Sequence, residues 1–214
     1  MAAPYAKSVF INCPLDNEYR PILEAFVFAI HDCGFTARCA LEVVDAGEVR
    51  IDKVRRLIRE SQFGIHDISR TQPDRATQLP RFNMPLELGL FMGAKAFGDG
   101  RQRRKVSLIF ERRRYSYQKY CSDIGGQDIA AHGLRAGAAI TKVRDWLSTH
   151  ARHRMPGGGD MAKRFRKFQR QLAALCRSVG LERRSLTFTD YQSMATGWLE
   201  AERQALRTVA SSAR

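Results

Sequence analysis

Short apolar runs of strand length alternate with amphipathic helical segments through the first half of this 214-residue chain, and few folds accept that order. Ser8-Val-Phe-Ile-Asn-Cys13 is a β-rich run, after which Ile22, Leu23, Phe26, Val27 and Ile30 recur at helical spacing until Gly34 stops them. Phe35 to Leu41 reads as a second strand. Ile51, Val54, Leu57 and Ile58 mark one face of a second helix whose other face is basic, and Phe63-Gly-Ile-His-Asp-Ile68 reads as a third strand. A loop from Ser69 to Asn83 leads into a helix carrying Glu87, and Val106-Ser-Leu-Ile-Phe110 gives a fourth strand. Each helix has to fold back to cover the sheet, so the order predicts a doubly wound parallel α/β sheet with right-handed crossovers. Gly89 and Gly93, one turn apart, are expected to let the Glu87 helix approach that sheet closely.

Beyond the fourth strand the pattern loosens. Tyr115 to Tyr120 suits a short helix, Ser122 to Asp128 is irregular, and Ala136 to Thr149 returns to a helix with Ile140, Val143, Trp146 and Leu147 inward. Pro156-Gly-Gly-Gly159 has linker composition. Phe165, Phe168, Leu172, Leu175 and Val179 then form a helical strip, a last helix runs from Gln192 to Val209, and the tail after it is expected to fray. The organisation this implies is an α/β domain over residues 1–151 and a basic helical region over 152–214. That C-terminal region either packs on the domain or mediates assembly, including a homo-oligomer.

No run reaches the roughly 18 apolar residues of a membrane span, and Lys7 and Pro14 break any signal-peptide pattern near the N-terminus, so a cytoplasmic protein is expected. The five cysteines are scattered and contain no Cys-x-x-Cys pair, which argues against a disulfide framework or structural zinc. The histidines lack ligand spacing apart from a weak His150/His153 pair, so neither a metal nor another cofactor is expected. A formal net charge of +14, concentrated in Arg101–Lys105, Arg112–Arg114 and Lys163–Lys167, invites nucleic acid or an acidic partner protein, although each cluster also suits a solvated face.

In a doubly wound sheet the strand ends converge on one rim, where ligands bind. That rule places Asn12 and Pro14 after the first strand, Asp67 and Ser69 at the end of the third, and Arg81, Asn83 and Glu87 at the entry to the following helix within reach of one ligand. Glu87 has two open readings: an acidic first-turn residue favoured by the helix dipole, or an ionised carboxylate facing a cleft. Asp67 either holds a ribose hydroxyl or caps its own loop, and His66 should point to the opposite face from it. Asn83 suits a helix cap or a substrate contact, and Arg81 suits a nucleotide phosphate or solvent. Asp128 and His132 lie in a second functional-looking loop, Ser122 to Gly133. Cys13 at the strand rim reads as a buried, inert thiol.

The Asn-Cys-Pro loop after the first strand, the Asp ending the third and Glu87-Leu-Gly-Leu-Phe-Met-Gly-Ala-Lys95 together resemble the nucleoside 2-deoxyribosyltransferase-like family. The order is also similar to bacterial TIR domains. The likeness spans residues 7 to 111 and lacks the family's glycine-containing loop after the first strand, where Cys13-Pro14 stand. It implies a flavodoxin-like sheet, with Glu87 as the carboxylate at a glycosidic carbon and Asp67 beside it. The implied activity is cleavage or transfer at the N-glycosidic bond of a nucleotide, with NAD the first choice and a nucleoside monophosphate or deoxynucleoside the second. The implied setting is bacterial antiviral defence or toxin-like nucleotide depletion. The alternative from a different class is a non-catalytic module that senses a nucleotide or binds nucleic acid or a partner through the basic surface.

Overall fold

The computed structural model describes residues 3–70, 78–151 and 153–212. Its centre is one five-stranded sheet built from β1 (Ser8–Asn12), β2 (Thr36–Cys39), β3 (Phe63–Asp67), β4 (Val106–Glu111) and β5 (Ile129–Ala131). The spatial order is β2-β1-β3-β4-β5 and the pairings between neighbouring strands are all parallel, with β1 at the point where the order reverses. This is the flavodoxin-like doubly wound arrangement the alternation predicts. Strand β5 is an addition to the four expected strands: Ile129-Ala-Ala131 has three residues and no β-branched run beyond its first, so nothing marked it out locally.

Helices α2 (Arg50–Glu60) and α3 (Asn83–Phe97) cover one face, where Val54, Leu57, Ile58 and Phe91 pack on Phe10. Helices α1 (Arg20–Asp32) and α4 (Ala136–Ser148) belong to the other, with Val9, Ile11, Phe63, Ile65 and Phe110 of the sheet in their core. Strand alternation sorts the side chains accordingly. Asn12 and His66, paired across β1 and β3, turn towards α3, whereas Asp67 turns to the α1 side. The close approach of helix to sheet is made from the strand. A Cβ on Gly64 would lie 2.6 Å from His66 Nε2 and 2.7 Å from the Phe91 ring, while Gly89 and Gly93 face open space. The two helix glycines therefore do not perform the packing role expected of them.

The C-terminal helices α5 (Gly158–Ser178) and α6 (Phe188–Ser212) form a further layer over α1. Phe28 of α1 contacts Phe165, Phe168 and Trp198 at ring-centroid distances of 5.4, 5.6 and 6.0 Å, while Phe26 reaches the opposite way to Phe110 at 5.1 Å. A helix apolar on both sides is a buried helix, and residues Ala25 to Ile30 are wholly inaccessible. Two buried α1 carboxylates anchor the layer. Glu24 accepts from Arg20, Gln169 and Arg183, and Asp32 accepts from Arg164 at 2.5 Å.

Two expected boundaries move. Gly158 and Gly159 of the linker-like run are the first residues of α5. Helix α6 starts before Gln192, because Thr187 and Asp190 cap one another's N–H groups at 3.1 and 3.0 Å.

Candidate functional site

At the carboxyl ends of β1 and β2 a cavity of about 190 Å³ opens between the N-terminal ends of α2 and α3. Asn12, Pro14, Arg81, Asn83 and Glu87 line it, together with Cys13, Cys39 and a residue not anticipated, Arg50. Five of the seven expected site residues are thus gathered at one opening. Asp67 and Ser69 do not line it, because their side chains belong to a network on the α1 side of the sheet.

Helix α3 starts at Asn83 with Phe82 in the cap position, so Asn83 is not the N-cap, and no side-chain cap hydrogen bond closes the helix end. Pro85 still falls in the first turn, where its missing N–H costs nothing. Glu87 is one turn further in than a first-turn acid, and that weakens the dipole's hold on its charge. The residue is 7% exposed, and its carboxyl has no hydrogen-bond or ion-pair partner among the described residues. Burial raises its pKa from 4.5 to about 7, against the smaller opposing effect of Arg50. The expectation of a carboxylate kept ionised by the dipole is therefore corrected: near neutrality the group is poised between its two states.

Asn12 fixes the carboxyl's setting. Its amide nitrogen donates to the Met84 carbonyl at 2.8 Å and to His66 Nδ1 at 3.2 Å. That amide nitrogen is therefore structurally committed. His66 is a core histidine as expected, wedged between Phe10 and Phe91, yet its Nε2 has no partner among the described residues and burial lowers its pKa to about 3. The Cys13 thiol is buried and pushed well above its ordinary pKa by that burial, with Cys39 the next contributor, as suits an inert thiol.

Across the sheet Asp67 is completely buried and fully engaged. One carboxylate oxygen accepts the Ser69 N–H at 2.9 Å, and the other accepts from the Tyr19 hydroxyl and from His132 Nε2 at 2.8 Å. The Leu134 N–H donates to His132 Nδ1 at 2.9 Å, which places the proton of the neutral ring on Nε2. Ser69 Oγ lies 3.3 Å from that same Nε2. A nucleophile triad needs the serine and the carboxylate on different ring nitrogens, so this cluster is not arranged as one.

Above the cavity an ionic lattice ties the loops together. Asp16 takes Arg70 at 2.6 Å and Arg81 at 3.5 Å, and Glu18 takes Arg70 at 2.9 Å. Arg75, in the loop between Ser69 and Asn83, lies outside the described residues. A larger hollow of about 340 Å³ sits beside β5, where Asp128 joins Arg114, Tyr115 and Lys142. His132 is not on its wall. Glu111 on that wall is occupied by the N–H groups of Tyr115 and Tyr117 and the Ser116 hydroxyl.

No protein-family model matches the chain, and no curated protein matches it.

Proposed function

We propose that this chain is an N-glycosidase that cleaves, or transfers across, the N-glycosidic bond of a nucleotide at Glu87, with NAD the first choice of substrate. A nucleoside monophosphate or deoxynucleoside is the second. The observation that carries this reading is the carboxyl of Glu87 at the rim of a doubly wound sheet, lining an open cavity, with no hydrogen-bond or ion-pair partner among the described residues. Desolvation without a partner disfavours the charged form of such a group, and a ligand that brings a hydroxyl or positive charge offsets this.

The chemistry follows from that placement. A cationic nicotinamide riboside unit entering the cavity favours the ionised form of Glu87. The carboxylate then bonds to C1′ while the C1′–N bond breaks and its electron pair leaves with the ring, which departs neutral without needing a proton. Water subsequently adds at C1′, frees Glu87 and gives its proton to solvent. A purine leaving group needs an acid, and Glu87 is the one carboxyl among the described residues lining the cavity. That favours NAD over the alternatives. Depletion of such a substrate suits antiviral defence or toxin-like action.

Incubation with NAD, nucleoside monophosphates and deoxynucleosides, followed by chromatography of released nicotinamide or base, tests the reading. Release by the wild-type chain and none by Glu87→Gln is the expected result. Equal release by both, or none from any of these compounds, overturns it.

The second reading, a module for nucleic acid or an acidic partner, draws on the charge of +14. Part of that charge is already spent. Lys105 is buried with its ammonium on the Ile58 and Ser61 carbonyls, and Arg164, Arg183 and Lys167 are paired within the chain. Association with RNA that weakens steeply with salt would favour it. No described helix is long and apolar enough to cross a membrane.

A further inference from the structure

The cavity beside Glu87 gathers more positive charge than a sugar needs. Arg50 opens α2 and lines the cavity wall, at the helix end where a cation opposes the dipole. Apart from Glu87, whose carboxyl it acts on across the cavity, its acidic neighbours are committed elsewhere. Glu42 holds Arg38 at 2.6 Å, Glu48 holds Arg56 at 3.0 Å, Asp52 holds Arg55 at 3.0 Å, and Asp45 accepts the Gly47 N–H. Arg50 itself has no hydrogen-bond or ion-pair partner among the described residues. Val49 provides no side-chain cap, and the N–H groups of Asp52 and Lys53 both use the Val49 carbonyl. The Arg50 and Ile51 N–H groups are left with no acceptor in the described chain.

These features share one opening with Arg81, the likewise uncapped start of α3, and the unpartnered carboxyl of Glu87. The geometry points to a phosphate subsite formed by Arg50 and the N-terminus of α2, with Arg81 at its edge, reading the 5′-phosphate of the sugar whose C1′ faces Glu87. This rests on the N-glycosidase reading for the sugar's orientation. At about 190 Å³ the cavity is below the roughly 300–1,000 Å³ of drug-sized pockets and holds little more than one sugar, so a phosphate bound within it belongs to that sugar. An anion between Arg50 and the open amides turns an unfavourable helix start into a favourable one. The ligand class narrows accordingly to 5′-nucleotides, including the mononucleotide half of a dinucleotide, and free deoxynucleosides drop out.

Binding is measured in the Glu87→Gln background, so that no probe is consumed, by calorimetry with nicotinamide mononucleotide against nicotinamide riboside and AMP against adenosine. The monophosphates should bind about tenfold or more tightly than their nucleosides, the advantage shrinking to under about threefold with Arg50→Ala and partly returning with Arg50→Lys. Arg50 is exposed and unpaired, so its removal leaves the fold in place. Equal affinities within each pair, an advantage unchanged by Arg50→Ala, or no binding by any probe overturns the subsite. Base release by the wild-type chain from nucleosides as readily as from nucleotides sinks the subsite alone. A phosphate advantage without base release sinks the N-glycosidase reading alone.

Discussion

Asn12 donates to the carbonyl of Met84, three residues ahead of Glu87, and so ties the last residue of β1 to the first turn of α3. One amide thereby sets where the candidate carboxyl sits relative to the sheet. Asn12→Ala should cost about 1–3 kcal/mol, because the buried His66 Nδ1 loses its donor and the tie to the Met84 carbonyl is lost. Base release should fall along with stability. Asn12→Asp should be worse, because it turns an acceptor towards two acceptors, the carbonyl and His66 Nδ1. Denaturant unfolding and base release on the same samples check this; an Asn12→Asp chain as stable as wild type would contradict it.

Replacing Glu87 by Gln separates stability from activity. The folded-state pKa of Glu87 is raised from 4.5 to about 7, so the native chain holds the extra proton between those values and its stability falls as pH rises through that window. Above the window the penalty stands in full, on the order of 3 kcal/mol for a shift of this size. Lys105, lowered from 10.5 to about 7 by burial, acts in the opposite sense: its contribution rises with pH between those two values. The difference between Glu87→Gln and wild type cancels the lysine. Thermal unfolding should show the variant clearly more stable at about pH 8 and close to wild type at about pH 5.

The same carboxyl sets the pH profile. If the ionised form acts on C1′, kcat/KM should rise as pH passes through about 7 and then level off. In the complex with a cationic substrate the inflection in kcat should move lower. A flat profile from about pH 5 to 9 would remove Glu87 from the rate-determining chemistry.

Gly64→Ala probes the contact between β3 and α3. The new methyl falls 2.6 to 2.8 Å from the His66 and Phe91 rings, both buried and unable to retreat. A loss of about 1–3 kcal/mol is expected, with base release reduced because Phe91 and Glu87 share α3. Gly89→Ala, facing open space in the same helix, should instead be neutral or slightly stabilising. Unfolding of the pair decides it.

Arg164→Ala tests the anchor of the C-terminal layer. Among the described residues it leaves the buried carboxylate of Asp32 with Arg203 at 3.5 Å as its remaining ion-pair partner, a loss of about 3 kcal/mol by analogy with broken buried pairs. Adding Asp32→Asn should recover part of that loss; no recovery would assign the effect to packing.

The parallel sheet was legible because strand and helix periodicities alternate from Ser8 to Phe110. Strand β5 was not, since its pairing with β4 through Ala130 and Ala131 is settled by tertiary contact. The site was half legible. Rim placement found Asn12, Pro14, Arg81, Asn83 and Glu87, but it put Asp67 with them, although adjacent strand residues face opposite ways. Register then decides: Asn12 pairs with His66, and that leaves Asp67 to Tyr19 and His132. Arg50 had a signal that went unread, a cation at a helix start where the dipole disfavours one. Burial decides the poise of Glu87, and no local sequence pattern encodes it.

The position of α1 has a consequence for how the molecule is made. The helix is synthesised early, yet the rings that close over Phe28 are Phe165, Phe168 and Trp198, near the other end of the chain. On the ribosome, the sheet and α1 wait with one flank bare until α5 and α6 emerge. Closure over α1 therefore depends on segments more than 120 residues downstream of it, and a chain cut after residue 151 would keep its cavity residues while losing the cover over α1.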